Sequence, residues 1–383
     1  MPPISTPQSR PPTSIPECAC TAGCSFFSSP NPPNGDTMDT QKRHLIKAIT
    51  AVAITAGAFS SASAQEVTLR LHQFLPPQAT IPSKVIAPWI KKIETESNGR
   101  IKIQMYSAMQ LGGTPAQLFD QARDGVADIT WTVLGYTPGR FVKSEVIELP
   151  FMTGLSSEAS SQAFWEYVQS HAADEFKDVK LLAVHTHGPG LFHTKAPITG
   201  LDSLKGMKIR GGSRIVNNML TKLGATPVGM PVPAVSEALS KGVLDGTTLP
   251  WEVTPAVKVT ELVKNHTSFT GNHGLYVTGF AFQMNKRAYE KLPDDLKKVI
   301  DNNSGQSLAA EFGRGMDAGD KVAKAIAEKA ANKIVQLDAA ETDRWRQASL
   351  AVESDWVNEV KAKGADGATL VKDMRTLMVK HAK

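Results

Sequence analysis

A strand, a helix and a second strand follow one another from residue 67 onward, and that order limits the fold more than any other feature. Val67-Thr68-Leu69-Arg70-Leu71-His72 alternates apolar and polar side chains, as a half-buried strand does. A Pro-bearing loop runs to Pro82, after which Val85, Ile86, Trp89, Ile90 and Ile93 recur on one face of a helix. Asn98-Gly99 ends that helix, and Ile101 to Tyr106 gives a second strand. Strands linked through a helix lie parallel, so the spacing predicts an α/β domain with a largely parallel sheet.

One local device then occurs twice. In Ala122 to Ile129 and again in Leu239 to Gly246, a helix ends at a glycine and an aspartate leads into a short strand, each helix being preceded by a proline, Pro115 or Pro233. The repeat points to two similar lobes rather than one large sheet. Between the copies, Lys180 to Val184 reads as a buried strand, and His185 to Gly190 carries two glycines and a proline, as a hinge would. A further strand is expected from Val277 to Met284, crossing back to the first lobe, and from Pro293 the pattern is helical almost to the end. Two crossings imply a clam-shell.

The N-terminal residues carry other information. Cys18, Cys20 and Cys24 sit in a Pro/Ser/Thr-rich leader without hydrophobic periodicity, so they read as neither a zinc site nor a redox pair. Residues 1–37 are expected to be a non-native or disordered leader, with translation starting at Met38. Residues 38–64 read as a signal peptide: Lys42, Arg43 and Lys47 are basic, Leu45 to Phe59 is apolar, and Ala62-Ser63-Ala64 offers a cleavage site. The exported chain would start near Gln65, lack cysteine, and reside in the periplasm without spanning the membrane.

Function classes narrow quickly. The net charge of +5 is dispersed along the chain, not gathered into the basic stripe that a nucleic-acid partner needs. His185, His187 and His193 have no H-E-x-x-H spacing, and no G-x-S-x-G, P-loop or dinucleotide fingerprint is present. A binding protein therefore leads, with no cofactor expected, and the alternative is a periplasmic enzyme on a similar two-lobed scaffold acting on an organic acid.

Ligands of open α/β sheets sit beyond the C-terminal ends of strands. The segments expected there are His72-Gln73-Phe74, Thr130-Trp131-Thr132, Ile209-Arg210-Gly211-Gly212 and Pro250-Trp251-Glu252. Arg210 presents a planar fork that matches a carboxylate, and Gly211-Gly212 lets a ligand approach the backbone. Trp131 and Trp251 offer flat apolar walls or, as readily, plain core packing. Glu252 suits a ligand hydroxyl, a metal ion or Arg210 itself.

The stretch Leu201-Asp202-Ser203-Leu204-Lys205-Gly206-Met207-Lys208-Ile209-Arg210, with Leu223-Gly224-Ala225-Thr226-Pro227 and Val243-Leu244-Asp245-Gly246, resembles the core signature of the DctP-type solute receptors of TRAP transporters. The strand bearing His72, the Arg100 to Ile103 strand, Gln110-Leu111-Gly112 and Glu148-Leu149-Pro150-Phe151 extend the likeness over Gln65 to Lys383. The resemblance implies an α/β clam-shell of the type II periplasmic-binding-protein kind, with strands crossing the hinge and a long bridging helix. It implies a first lobe from 65–188 and 277–315, a second from 189–276, and bridging and C-terminal helices over 316–383 lying mainly on the second. It also implies a small organic acid as ligand, DctQ/DctM-type membrane subunits as partners, and Arg210 as the carboxylate's partner. Where sialic-acid receptors of this family carry an Arg, an Asn and a Phe, this chain has Gly190, Leu249 and Val232, which disfavours a hydroxyl-rich sugar acid. The expected ligand residues are thus Arg210, Trp131, Trp251, Glu252, His72, Gln73 and Leu249, with any metal undetermined.

Overall fold

The computed structural model describes residues 67–382; the cysteine leader, the signal peptide at 38–64 and the start at Gln65 lie outside the described residues. The strands in chain order are β1 Val67–His72, β2 Ile101–Tyr106, β3 Ile129–Val133, β4 Val179–Thr186, β5 Leu191–Thr194, β6 Lys208–Gly211, β7 Thr226–Gly229, β8 Gly246–Leu249, β9 Asn265–Phe269, β10 Gly279–Asn285 and β11 Lys333–Leu337. The helices are α1 Ala87–Glu96, α2 Leu118–Asp124, α3 Ser157–Tyr167, α4 Arg214–Lys222, α5 Val235–Ser240, α6 Val259–Leu262, α7 Lys286–Glu290, α8 Asp294–Asn302, α9 Gln306–Lys329, α10 Ala339–Ala362 and α11 Gly367–His381.

The expected β-α-β start is present: β1 pairs in parallel with β2, while Val85, Ile86, Trp89 and Ile93 are buried beneath the sheet. Two sheets result, ordered β2-β1-β3-β10-β4 and β11-β9-β5-β8-β6-β7. Counted from β2 in one and from β7 in the other, five positions repeat one topology, and β11 is an addition to the second sheet. β1 and β6 each lie between two parallel neighbours, and β10 and β5 each run antiparallel to both of theirs. The antiparallel member of each sheet is the strand that arrives from the other lobe, β5 directly after β4 and β10 directly after β9.

The duplicated device has the same geometry in both places. Asp128 accepts the Arg70 backbone N–H at 2.8 Å, and its own N–H donates to Arg70 O at 2.9 Å. Asp245 accepts the Lys208 backbone N–H at 2.8 Å and donates to Lys208 O at 2.9 Å. Asp128 thus sets the register of β3 against β1, and Asp245 that of β8 against β6.

Helix α9 joins the lobes. Its first half packs on β4 and α3, and farther along Ala323 and Ala327 pack with Leu191 and Trp251 of the second lobe. The helical pattern expected from Pro293 to the C-terminus is interrupted by β11, which adds a parallel edge strand beside β9. The final helices are also shared between lobes rather than lying mainly on the second: α10 packs on α4, but α11 packs on α3, where Lys380 and His381 reach Glu166.

One buried chain of hydrogen bonds ties the second sheet together. His193 on β5 and His266 on β9 face each other with Nδ1 atoms 2.7 Å apart. His193 Nε2 lies 3.2 Å from Leu249 O, which can only accept, so the proton is on Nε2 and Nδ1 is bare. His266 must then carry its proton on Nδ1 and accept at Nε2 from Asn332 Nδ2, 3.0 Å away, whose orientation is fixed by a second bond to Thr260 O. Burial holds the two rings down at about 3 and about 4, so both are neutral at pH 7. We expect nitrogen-detected NMR to find His193 as the Nε2–H tautomer and His266 as the Nδ1–H tautomer, unchanged from about pH 7 to about pH 5. A ring titrating near its ordinary value of about 6.5 would contradict this pairing.

Candidate functional site

A cavity lies at the C-terminal ends of strands from both sheets, lined by residues of both lobes. The second lobe contributes Arg210, the third residue of β6. Its guanidinium is buried, 4% of the residue being exposed. Nε donates to Met230 O at 2.9 Å and Nη1 to Thr248 O at 3.3 Å, so main-chain carbonyls after β7 and on β8 hold the fork from two sides. A Cβ at Gly212 would lie 3.0–3.3 Å from the guanidinium, so the fork rests on bare backbone there. The Tyr136 hydroxyl lies beside the fork and accepts the Val232 N–H at 3.0 Å. Among the described residues no carboxylate pairs with Arg210.

The first lobe supplies aromatic walls. Trp131 stacks with Phe74, at 4.8 Å, and with Phe280, at 5.4 Å, and all three line the cavity. Trp131 Nε1 donates to His185 Nε2 at 2.8 Å, so the indole has no polar group left to bring to a ligand. The crossing segments add His187, Tyr276 and Thr278. His187 accepts the Thr278 N–H on Nε2 and points Nδ1 at Gly188 O, and burial lowers it to about 4, with Arg210 also acting against its charge. Burial raises Tyr276 to about 12 and Glu252 to about 8. At pH 7 the lining groups described here therefore sum to a single positive charge, on Arg210.

The sequence-derived residues divide. Arg210, Trp131, Leu249 and Glu252 line this cavity. Trp251 does not: it packs against His193 and His266 and faces a separate surface recess on the far side of its loop. His72 is fully buried, bonded to Gln121 Oε1 at 2.6 Å and to the Leu111 N–H at 3.3 Å. Gln73 folds its amide onto the backbone of Leu75, leaving the following Phe74 and Leu75 to reach the cavity. Both therefore support the wall from behind. Tyr136, His187, Tyr276 and Phe280 were missed; the hinge glycines and the strand beginning after Tyr276 were the available signal for the last three. Among the described residues no group of three or more His, Cys, Asp or Glu side chains converges as a metal site, and no helix is long and apolar enough to cross a membrane.

Two equivalent sheets that exchange strands across a hinge and enclose a buried, unpaired cation define a solute receptor of the two-lobed kind. Residues 72–359 match the DctP family, bacterial extracellular solute-binding proteins of family 7, and the chain belongs to it, as a receptor of TRAP transporters. A marine-metagenome TRAP solute-binding protein specific for aromatic acids, crystallised with 3-hydroxybenzoate, is 50% identical, with TM-score 0.82 over 84% of this chain and 100% of that one. A TRAP solute-binding protein from Rhodoferax ferrireducens with copurified benzoate is 48% identical, with TM-score 0.81 over 82% and 98%. A third, from Bordetella bronchiseptica with bound mandelate, is 31% identical, with TM-score 0.76 over 82% and 99%.

Gly190, at the position where sugar-acid receptors were expected to differ, has a steric role. A Cβ there would come within 2.1–2.7 Å of the Tyr276 ring, so the ring occupies the space a side chain would need. Gly190→Ala should displace Tyr276 and cost about 1–3 kcal/mol of stability, read from the denaturant midpoint. An unchanged midpoint would mean the hinge adjusts freely.

Proposed function

We propose that the cavity binds a small aromatic monocarboxylate, held by Arg210 through its carboxylate and by Phe74, Trp131 and Phe280 through its ring. The observation that carries this reading is a buried guanidinium, 4% of the residue exposed, without a carboxylate partner among the described residues. A desolvated cation of this kind requires an anion, and the pinned fork matches two carboxylate oxygens. Support also comes from the relatives crystallised with 3-hydroxybenzoate and benzoate. The chain would carry the acid, without turnover, through the periplasm to DctQ/DctM-type membrane subunits, after removal of residues up to Ala64. No metal is assigned a part, so titration in a chelator should give the same affinity.

Isothermal titration with benzoate tests the assignment. Removing one member of a desolvated charge pair costs about 2–5 kcal/mol, so Arg210→Ala should weaken binding roughly thirty-fold to several-thousand-fold. Arg210→Lys keeps the charge, loses the planar fork and should also bind more weakly than wild type. Unchanged affinity in Arg210→Ala would remove the residue from the site. Mass spectrometry should recover the acid unaltered, since a changed product would indicate the enzyme alternative. N-terminal sequencing of periplasmic material should begin near Gln65, and a stable product still carrying Cys18 would refute that maturation.

A further inference from the structure

Arg210 accounts for a carboxylate, yet the cavity is lined by a second buried polar group. Glu252, three residues beyond β8, is 4% exposed. Its backbone N–H donates to Asp320 Oδ1 on α9 at 2.6 Å, which fixes the loop against that helix. Its carboxyl lies beside the Thr80 hydroxyl and the Ile81 amide, and Oε1 is buried with no hydrogen-bond partner. Leaving a buried polar atom unpaired is costly, and because Glu252 lines the cavity, a polar group of a bound ligand is a candidate partner for it.

We propose that Glu252 reads a hydroxyl on the ring of the bound acid, so that the preferred ligand is a hydroxylated aromatic monocarboxylate. This rests on the aromatic-acid reading of the cavity and adds a second point of recognition to it. Burial, with the Asp320 carboxyl adding to it, keeps Glu252 at about 8, against the Thr80 and Ile81 bonds. The other titratable groups around it are Asp320 on α9, raised by burial to about 7, and, lining the same cavity, Arg210, His187, Tyr136 and Tyr276. A protonated Glu252 places no negative charge next to the ligand carboxylate and can donate to a hydroxyl or accept from it. A second carboxylate on the ligand would leave an unmatched charge against the single cation, and a cation would require Glu252 ionised. A neutral hydroxyl meets neither obstacle.

The test is calorimetric titration of wild type, Glu252→Met and Glu252→Gln with benzoate, 3-hydroxybenzoate and 4-hydroxybenzoate. A site built to pair a hydroxyl discriminates against the analogue lacking it. Wild type should bind one hydroxybenzoate at least about tenfold more tightly than benzoate, and in Glu252→Met that ratio should fall to about one. Wild-type affinity should also drop as pH rises through about 8, when Glu252 ionises beside the bound carboxylate, and Glu252→Gln should lose that drop while keeping a preference. If Glu252→Met fails to fold, the pH profile of Glu252→Gln decides, and an unaltered drop overturns the proposal. Tight benzoate binding with no hydroxyl preference, or a wild-type ratio retained in Glu252→Met, overturns this inference alone. Failure of all three acids to bind wild type overturns the aromatic-acid reading and this inference with it.

Discussion

A guanidinium taken out of water without a counter-charge is the constraint around which this protein is arranged. Main-chain carbonyls of Met230 and Thr248 satisfy part of the Arg210 fork, but carbonyl dipoles do not neutralise a charge. The remaining cost is borne by the fold until an anion arrives. That cost explains why the surroundings are so fully determined: β6 sets the depth of the side chain, Thr248 Oγ1 bonds back to Arg210 O at 3.1 Å, and Gly212 leaves room for the fork to lie flat. Freedom in any of these would let the guanidinium swing to solvent and lose its preorganisation.

The architecture delivers that site through repetition. Because the sheets share one strand order, the C-terminal edges of β3 and β8 stand in corresponding places and supply opposite walls, Trp131 and Val133 from one, Leu249 from the other. Asp128 and Asp245 perform the same registration in each lobe, so a one-residue slip that would turn these side chains away from the cavity is opposed twice. The histidine chain adds a further brace. Leu249 O is its terminal acceptor, so a wall of the cavity is tied through His193 and His266 to the edge of the sheet at Asn332.

Much of this was legible in the sequence, for reasons that also mark where legibility ends. Period-two alternation located β1 and β2, and the glycine-aspartate device located both registering turns, because these are local signals. Arg210 was legible because its planar fork follows a strand beside Gly211-Gly212 and closes the family signature that starts at Leu201. Alternation, however, says which face a side chain is on and not what it meets there. His72 and Gln73 fell one residue short of Phe74, since a buried polar residue bonded to its neighbours looks in sequence like one awaiting a ligand. Trp251 illustrates the same ambiguity for apolar groups: it is adjacent to Glu252, yet the two side chains serve opposite sides of one loop. β11 was hidden by Ala-rich helices on both sides, and its strand character comes from pairing with β9, a partner distant in sequence. The opposition of Gly190 and Tyr276 is likewise a long-range fact.

Charge matching in the cavity is itself a product of enclosure. Glu148, beside the Ser213 hydroxyl that caps α4, accepts the N–H of Gly279 at the start of β10 and is raised to about 8, with burial the leading cause. Burial is likewise the leading cause for Glu252. Both carboxyls have an ordinary value of 4.5, so in a solvated arrangement both would be ionised at pH 7. An ionised Glu252 in the cavity lining would then cancel the positive charge of Arg210 and oppose an anion. Exclusion of water reverses that balance by keeping Glu252 protonated, so the net positive charge of the cavity lining depends on its enclosure. Affinity and enclosure are therefore coupled through the same desolvation: a ligand stabilises the closed arrangement by the amount that the closed arrangement favours its carboxylate.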